Sequence, residues 1–135
     1  MTEKVTTFLM FEGKAQEAMN FYISLFPDSR ILRIQRYGPG EPGPEGTIMH
    51  ATFQLAGRQF MCIDSPAPHP FTFTPSISLF ITCDDKAEID RLFAALSDGG
   101  TIMMPLDAYP FAARFAWLAD RYGVSWQLSL PHQQP

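Results

Sequence analysis

Few side chains in this sequence could do chemistry at neutral pH, and most of them stand alone. His50 lies mid-way along Thr47-Ile-Met-His-Ala-Thr-Phe53, on one face of an expected strand with Ile48, Thr52 and Gln54. An imidazole there could serve as an acid–base group or a ligand, or simply as a histidine hydrogen-bonded on a sheet. His69 sits between prolines and His132 lies in a polar tail. Neither setting positions an imidazole against a reacting group. Cys62 and Cys83 have no C-x-x-C partner and read as buried, reduced thiols. Asp84, Asp85, Glu88 and Asp90 form the densest acidic cluster. They open an expected helix, where carboxylates satisfy free amides and meet the positive end of the dipole. Phe115 and Trp117 alternate onto one face of a strand, Trp126 precedes Gln127 on the next strand, and Arg114 is either an anchor for an anion or a surface arginine.

The elements that must position these residues follow from periodicity. Thr6 to Phe11 reads as a short buried strand. Lys14 to Phe26 reads as a helix with Ala15, Ala18, Met19, Tyr22, Leu25 and Phe26 on one face, stopped by Pro27. Ile31 to Tyr37 returns to strand, with Leu32 and Ile34 opposed to Arg33 and Gln35. Gly38 to Gly46, four glycines and three prolines in nine residues, must be a loop, either a lid or a plain connection. Thr47 to Leu55 and Arg58 to Asp64 read as a hairpin around Ala56-Gly57. A proline-rich stretch, Ser65 to Pro75, gives the chain room to cross between half-modules.

The order then repeats. Ser76 to Cys83 is an expected strand, and Asp85 with Glu88 opens a second helix whose stripe is Ile89, Leu92, Phe93 and Leu96. Gly99-Gly100 ends that helix. Thr101 to Pro105, Ala112 to Ala119 and Ser125 to Leu130 supply three more strands, the last two joined at Asp120-Arg-Tyr-Gly123. Phe8 and Phe80, Lys14-Ala15 and Lys86-Ala87, and Phe21 and Phe93 echo one another 72 positions apart.

With 135 residues, 46% hydrophobic and 18% charged, the chain can fill one ordinary core. A formal charge of −4 without a basic cluster argues against nucleic acid or an anionic membrane as partner. No apolar run is long enough to span a bilayer. Met1-Thr-Glu-Lys runs directly into a strand-like stretch, so no secretory signal is expected and the cytoplasm is the default location.

Trp117-Leu-Ala-Asp-Arg-Tyr-Gly-Val-Ser-Trp-Gln127, together with Phe21-Tyr22, Phe26-Pro-Asp-Ser29 and Phe53-Gln-Leu-Ala-Gly57, resembles the PhnB-like, demethylubiquinone methyltransferase-like family of the glyoxalase/vicinal oxygen chelate superfamily. The resemblance runs from about Thr6 to Leu130. It implies an α+β fold of paired βαβββ modules forming a cupped eight-stranded mixed sheet. It also implies one domain over residues 1–135, with half-modules of about 4–65 and 75–130, and usually a homodimer.

In metal-dependent relatives, ligands project into the cup from the first and last strand of each half. Carried over by motif, these positions are Thr6 or Thr7, Ser78, Gln127, and a fourth near Met61 to Ile63, with Asp64 close by. Imidazole and carboxylate are replaced by hydroxyls and a neutral amide, which hold a divalent cation weakly. No cofactor is therefore expected, with a divalent metal as the weaker possibility. The cavity candidates are His50, Ser78, Phe115, Trp117 and Gln127.

The first expectation is a homodimeric protein binding a small, partly apolar molecule, with no nucleic acid and no membrane. The alternative is a lyase or isomerase with an atypical metal site using His50 and Gln127. A methyltransferase, as the family description has it, comes third. Methyl transfer from S-adenosylmethionine normally uses a Gly-rich loop between a first strand and its helix, and this sequence lacks that unit.

Overall fold

The computed structural model describes residues 4–133; Met1 to Glu3, on which the expected absence of a leader rests, lie outside them. Two compact units divide between Pro70 and Phe71. Each has the order strand, helix, three strands, and each contains one four-stranded mixed sheet. Among the described residues no helix is long and apolar enough to cross a membrane.

The first unit comprises β1 (Thr7–Phe11), α1 (Ala15–Ile23), β2 (Arg30–Arg36), β3 (Ile48–Leu55) and β4 (Arg58–Asp64), with sheet order β1-β4-β3-β2. β1 runs parallel to β4, and the other pairs are antiparallel. Alternation sorts its side chains. Leu9, Phe11, Ala51, Phe53, Phe60 and Cys62 are buried with Ala15, Ala18, Met19 and Tyr22 of α1. Phe53 and Phe60 stack at 5.5 Å. Fully burying one such side chain contributes about 2–3 kcal/mol.

The second unit comprises β5 (Leu79–Thr82), α2 (Lys86–Ser97), β6 (Thr101–Tyr109), β7 (Ala112–Ala119) and β8 (Ser125–Leu130), in order β5-β8-β7-β6. Ile89, Leu92 and Leu96 of α2 are buried along with Ala116, Leu118, Trp126 and Leu128.

Several expectations need correction. α1 stops at Ile23 rather than Phe26, where the Ser24 hydroxyl bonds back to the Phe21 carbonyl at 2.5 Å; Leu25 and Phe26 remain buried beyond the helix. β5 starts at Leu79, not Ser76. β6 continues through Pro105 to Tyr109, because an edge strand tolerates a residue with no N–H to donate. The register of β2 shifts between Ile31 and Arg33, so Ile31 and Ile34 share the helix side and Leu32 turns outward, 41% exposed. The Gly38–Gly46 loop is closed at its base by Tyr37–Thr47 and Gly46–Tyr37 backbone bonds of 2.9 Å. Gly43 is buried against the Tyr37 ring, where no Cβ would fit. That packing describes a fastened connection better than a lid.

The two helices begin differently. Glu88 N–H donates to Asp85 Oδ1 at 2.8 Å, and Asp84 N–H donates to Glu88 Oε1 at 2.7 Å. α2 is thus capped by its own first turn, as the sequence indicates. α1 has no side-chain cap at Lys14. Instead Asp64, at the end of β4, accepts from Gly13 N–H at 2.8 Å and Ala15 N–H at 2.9 Å through Oδ1, and from Ile48 N–H at 3.0 Å through Oδ2.

Candidate functional site

Each sheet has one face packed on its helix and one face turned away from it. In the second unit, Gln127 of β8 stands on the open face between Phe80 of β5 and Trp117 of β7. Phe80 is 58% exposed. Gln127 Nε2 donates to Ser78 Oγ at 3.3 Å, the hydroxyls of Ser78 and Ser125 lie 2.7 Å apart, and the Trp117 indole N–H donates to Ser125 Oγ at 2.9 Å. The amide orientation follows from this network. Ser78, Trp117 and Gln127 are therefore joined into one polar knot, with Ser125 at its centre.

Phe115 shares the face of Trp117 but is covered. Its ring meets Phe111 edge-on at 4.9 Å and Tyr109 at 5.9 Å, and it is buried. It narrows this face instead of lining it openly. Trp126 takes the opposite side, fully buried, with its indole N–H on Asp120 Oδ2 at 2.8 Å. Arg114 also faces the helix and pairs with Asp90 of α2 at 2.8 Å. It is a brace between sheet and helix, not an anion anchor. Asp90, bonded first by Lys86 and then by Arg114, is held below the usual carboxylate range even though burial pushes the other way.

His50 belongs to the first unit, on the open face of β3 opposite Gln35. Its ring lies 5.9 Å from that of Phe8, tilted by 49°. Of the other histidines, His69 Nε2 lies 2.8 Å from Ser65 Oγ, a hydroxyl that donates to the Ala67 carbonyl, and His132 Nε2 meets the Pro110 carbonyl at 3.1 Å. A pocket of about 250 Å³ opens around Glu12, Gly13, Pro44, Thr47 and Ser65 to Pro68. None of His50, Ser78, Phe115, Trp117 and Gln127 lines it. Both thiols are pushed up to about 12, by burial first and then by neighbouring carboxylates, so they stay protonated at neutral pH.

Strand register shows which face each position implied by the resemblance occupies. Thr7 alternates with the buried Leu9 and Phe11, whereas Thr6 falls in step with Phe8 and Met10 on the open side. Phe8 pairs with Met61 as Phe80 pairs with Gln127, so Met61 is the counterpart of Gln127. The first unit then offers a hydroxyl and a thioether, and the second a hydroxyl and an amide that are already bonded to each other. Neither pair brings charge to a divalent cation, and neither fits one. Among the described residues, no three His, Cys, Asp or Glu side chains gather into a group that could hold a metal. S-adenosylmethionine fares no better. β1 meets α1 through Glu12-Gly13-Lys14, and the free amides there already hold Asp64.

Two open-face residues escape a reading by residue type. Phe80 lies two positions after Ser78, and Ser125 two before Gln127; strand alternation alone marks both.

Comparison with known proteins gives the wider setting. Residues 3–129 match the family model described as 3-demethylubiquinone-9 3-methyltransferase. The PhnB protein of Bacillus cereus, whose description carries the same activity, is 60% identical over 95% of this chain and 99% of its own, with a TM-score of 0.94. Protein PA1353 of Pseudomonas aeruginosa is 30% identical over 98% of this chain and all of its own (100%), with a TM-score of 0.82. At 14% identity, a glyoxylase/bleomycin resistance protein/dioxygenase domain from Frankia shares the fold, with a TM-score of 0.67 over 98% and 99% of the two chains. With a family model matched over most of its length and a relative of 60% identity, this chain belongs to the PhnB-like, 3-demethylubiquinone-9 3-methyltransferase family.

Proposed function

We propose that this protein is a binding module that holds a small, partly apolar molecule against the open face of a four-stranded sheet, acting as a homodimer and without a metal. The observation that carries this reading is the setting of Gln127. A neutral amide stands between the Phe80 and Trp117 rings and is fixed by the hydroxyl of Ser78. Apolar walls with a few oriented polar groups are what a small-molecule site needs. Acid–base or nucleophilic chemistry needs a base within reach of a nucleophile, and the described residues on this face include no such pair.

Titration with the neutral fluorophore N-phenylnaphthylamine tests the reading. Saturable binding is expected, weakened about tenfold in Trp117→Ala through loss of a large apolar contact. The absence of saturable binding would sink it. Binding of S-adenosylmethionine under the same conditions would favour methyl transfer instead.

A further inference from the structure

We infer that the open face of the first unit selects an amphipathic anion, a compact aromatic body bearing one carboxylate or sulfonate, with Arg33 as its charge anchor; this rests on the binding reading above. One row crosses the sheet at a single level: Phe8 of β1 opposite Met61 of β4, Met61 opposite Thr52 of β3, and Thr52 opposite Arg33 of β2. Alternation puts all four side chains on the face away from α1. Three strand spacings of roughly 4.8 Å separate the ring from the guanidinium. Apolar character lies at one end, with Phe8 53% exposed and Met10 beside it. The middle is polar and hydrogen-bonding, with Thr52 and His50 of β3, and Gln35 stands opposite His50 on β2.

The cationic end is unspent. Lys14, Lys86, Arg114 and Arg121 each pair with a carboxylate. Arg36, on the helix side of β2, bonds Gln16 Oε1 at 2.6 Å and the Gly46 carbonyl at 3.1 Å. Arg33 and Arg30 have no hydrogen bond or ion pair among the described residues, although acids outnumber bases in the chain by 14 to 10. Their directly paired neighbours are Thr52 and Gln54. A planar guanidinium left open beside neutral groups presents a two-pronged donor to carboxylate or sulfonate. Apolar body and acid head are thus matched in order along the row.

Two probes with one skeleton separate the charge from the apolar contact: anilinonaphthalene sulfonate and its uncharged analogue N-phenylnaphthylamine. Both are titrated by fluorescence against the wild type, Arg33→Gln, Arg33→Lys and Arg58→Gln. Arg58 is exposed and lies on the other face by alternation. Arg33→Gln is expected to weaken the sulfonate about five- to tenfold, the scale of one charge-assisted contact, and to leave the neutral probe within about twofold. Arg33→Lys restores part of the loss. Equal weakening of both probes, no effect on either, or the same loss in Arg58→Gln would overturn the anchor while leaving the binding reading intact. If neither probe binds the wild type, the binding reading itself fails, and the anchor with it.

Discussion

Laid over one another by register, the two units carry the same scaffold and different chemistry. The row Phe8-Met61-Thr52-Arg33 in the first corresponds to Phe80-Gln127-Trp117-Met104 in the second. Only the first position keeps its residue. At the second, an amide takes the place of a thioether; at the third, an indole that of a hydroxyl; at the fourth, another thioether that of a guanidinium. One level on, Gln35 opposite His50 corresponds to Asp107 opposite Phe115. A duplicated βαβββ frame therefore leaves its open faces free to diverge, because the packed faces alone secure the core. Function in such a fold resides in the side chains of a row and not in the frame.

The helix starts show a second divergence, and it offers the sharpest way to break the comparison. Asp64 reaches α1 from the end of β4 and satisfies three N–H groups while buried; Asp85 satisfies one at an exposed cap. Asp64→Ala is expected to cost about 3–5 kcal/mol, since it strands buried donors. Asp85→Ala should cost about 1 kcal/mol, as an ordinary cap does. Urea denaturation of the two variants checks this. Equal losses would show that the long-range cap is no more than a local one.

A smaller effect tests whether the polar knot of the second unit is a built feature. Trp117→Phe keeps the apolar ring and removes the N–H that holds Ser125 at 2.9 Å. The expected loss is about 1 kcal/mol, read by denaturation. The smallest effect concerns Asp90, whose pKa is held low chiefly by Lys86 and also by Arg114. A carboxyl whose folded pKa lies below its unfolded value contributes stability above the unfolded pKa, and that contribution fades as pH falls through the folded one. Wild type and Asp90→Asn should therefore differ in melting temperature at neutral pH and converge as pH falls through the lowered Asp90 pKa. A difference that persists in acid would assign the effect to packing.

Where structure is decided locally, the sequence is a sufficient guide. The cap of α2 lies within four residues of its helix, the Ala56-Gly57 turn bears positive φ at both positions, and β4, β7 and β8 have the limits that alternation and turn residues indicate. What escapes is set by partners far along the chain. The cap of α1 comes from a residue 49 positions beyond Ala15. β6 runs past Pro105 because it lies at a sheet edge, and edge position is a property of topology. Arg114 could have been placed from its neighbours, since it is out of step with Phe115 and Trp117. Leu32 could not, because a register shift within β2 takes it out of step with Ile34, while Arg33 and Gln35 share a face as alternation indicates. The candidates Ser78, Trp117 and Gln127 come together in the second unit, and His50 lies on the open face of the first.

The most direct test of metal-free binding is a titration of chelator-treated protein with N-phenylnaphthylamine, repeated after zinc, nickel, manganese and iron(II) are each restored, with bound metal counted by mass spectrometry. Saturable binding of equal affinity in every sample, with far less than one ion held per chain, is the expected result. Binding that appears only with about one tightly held ion per chain would contradict it.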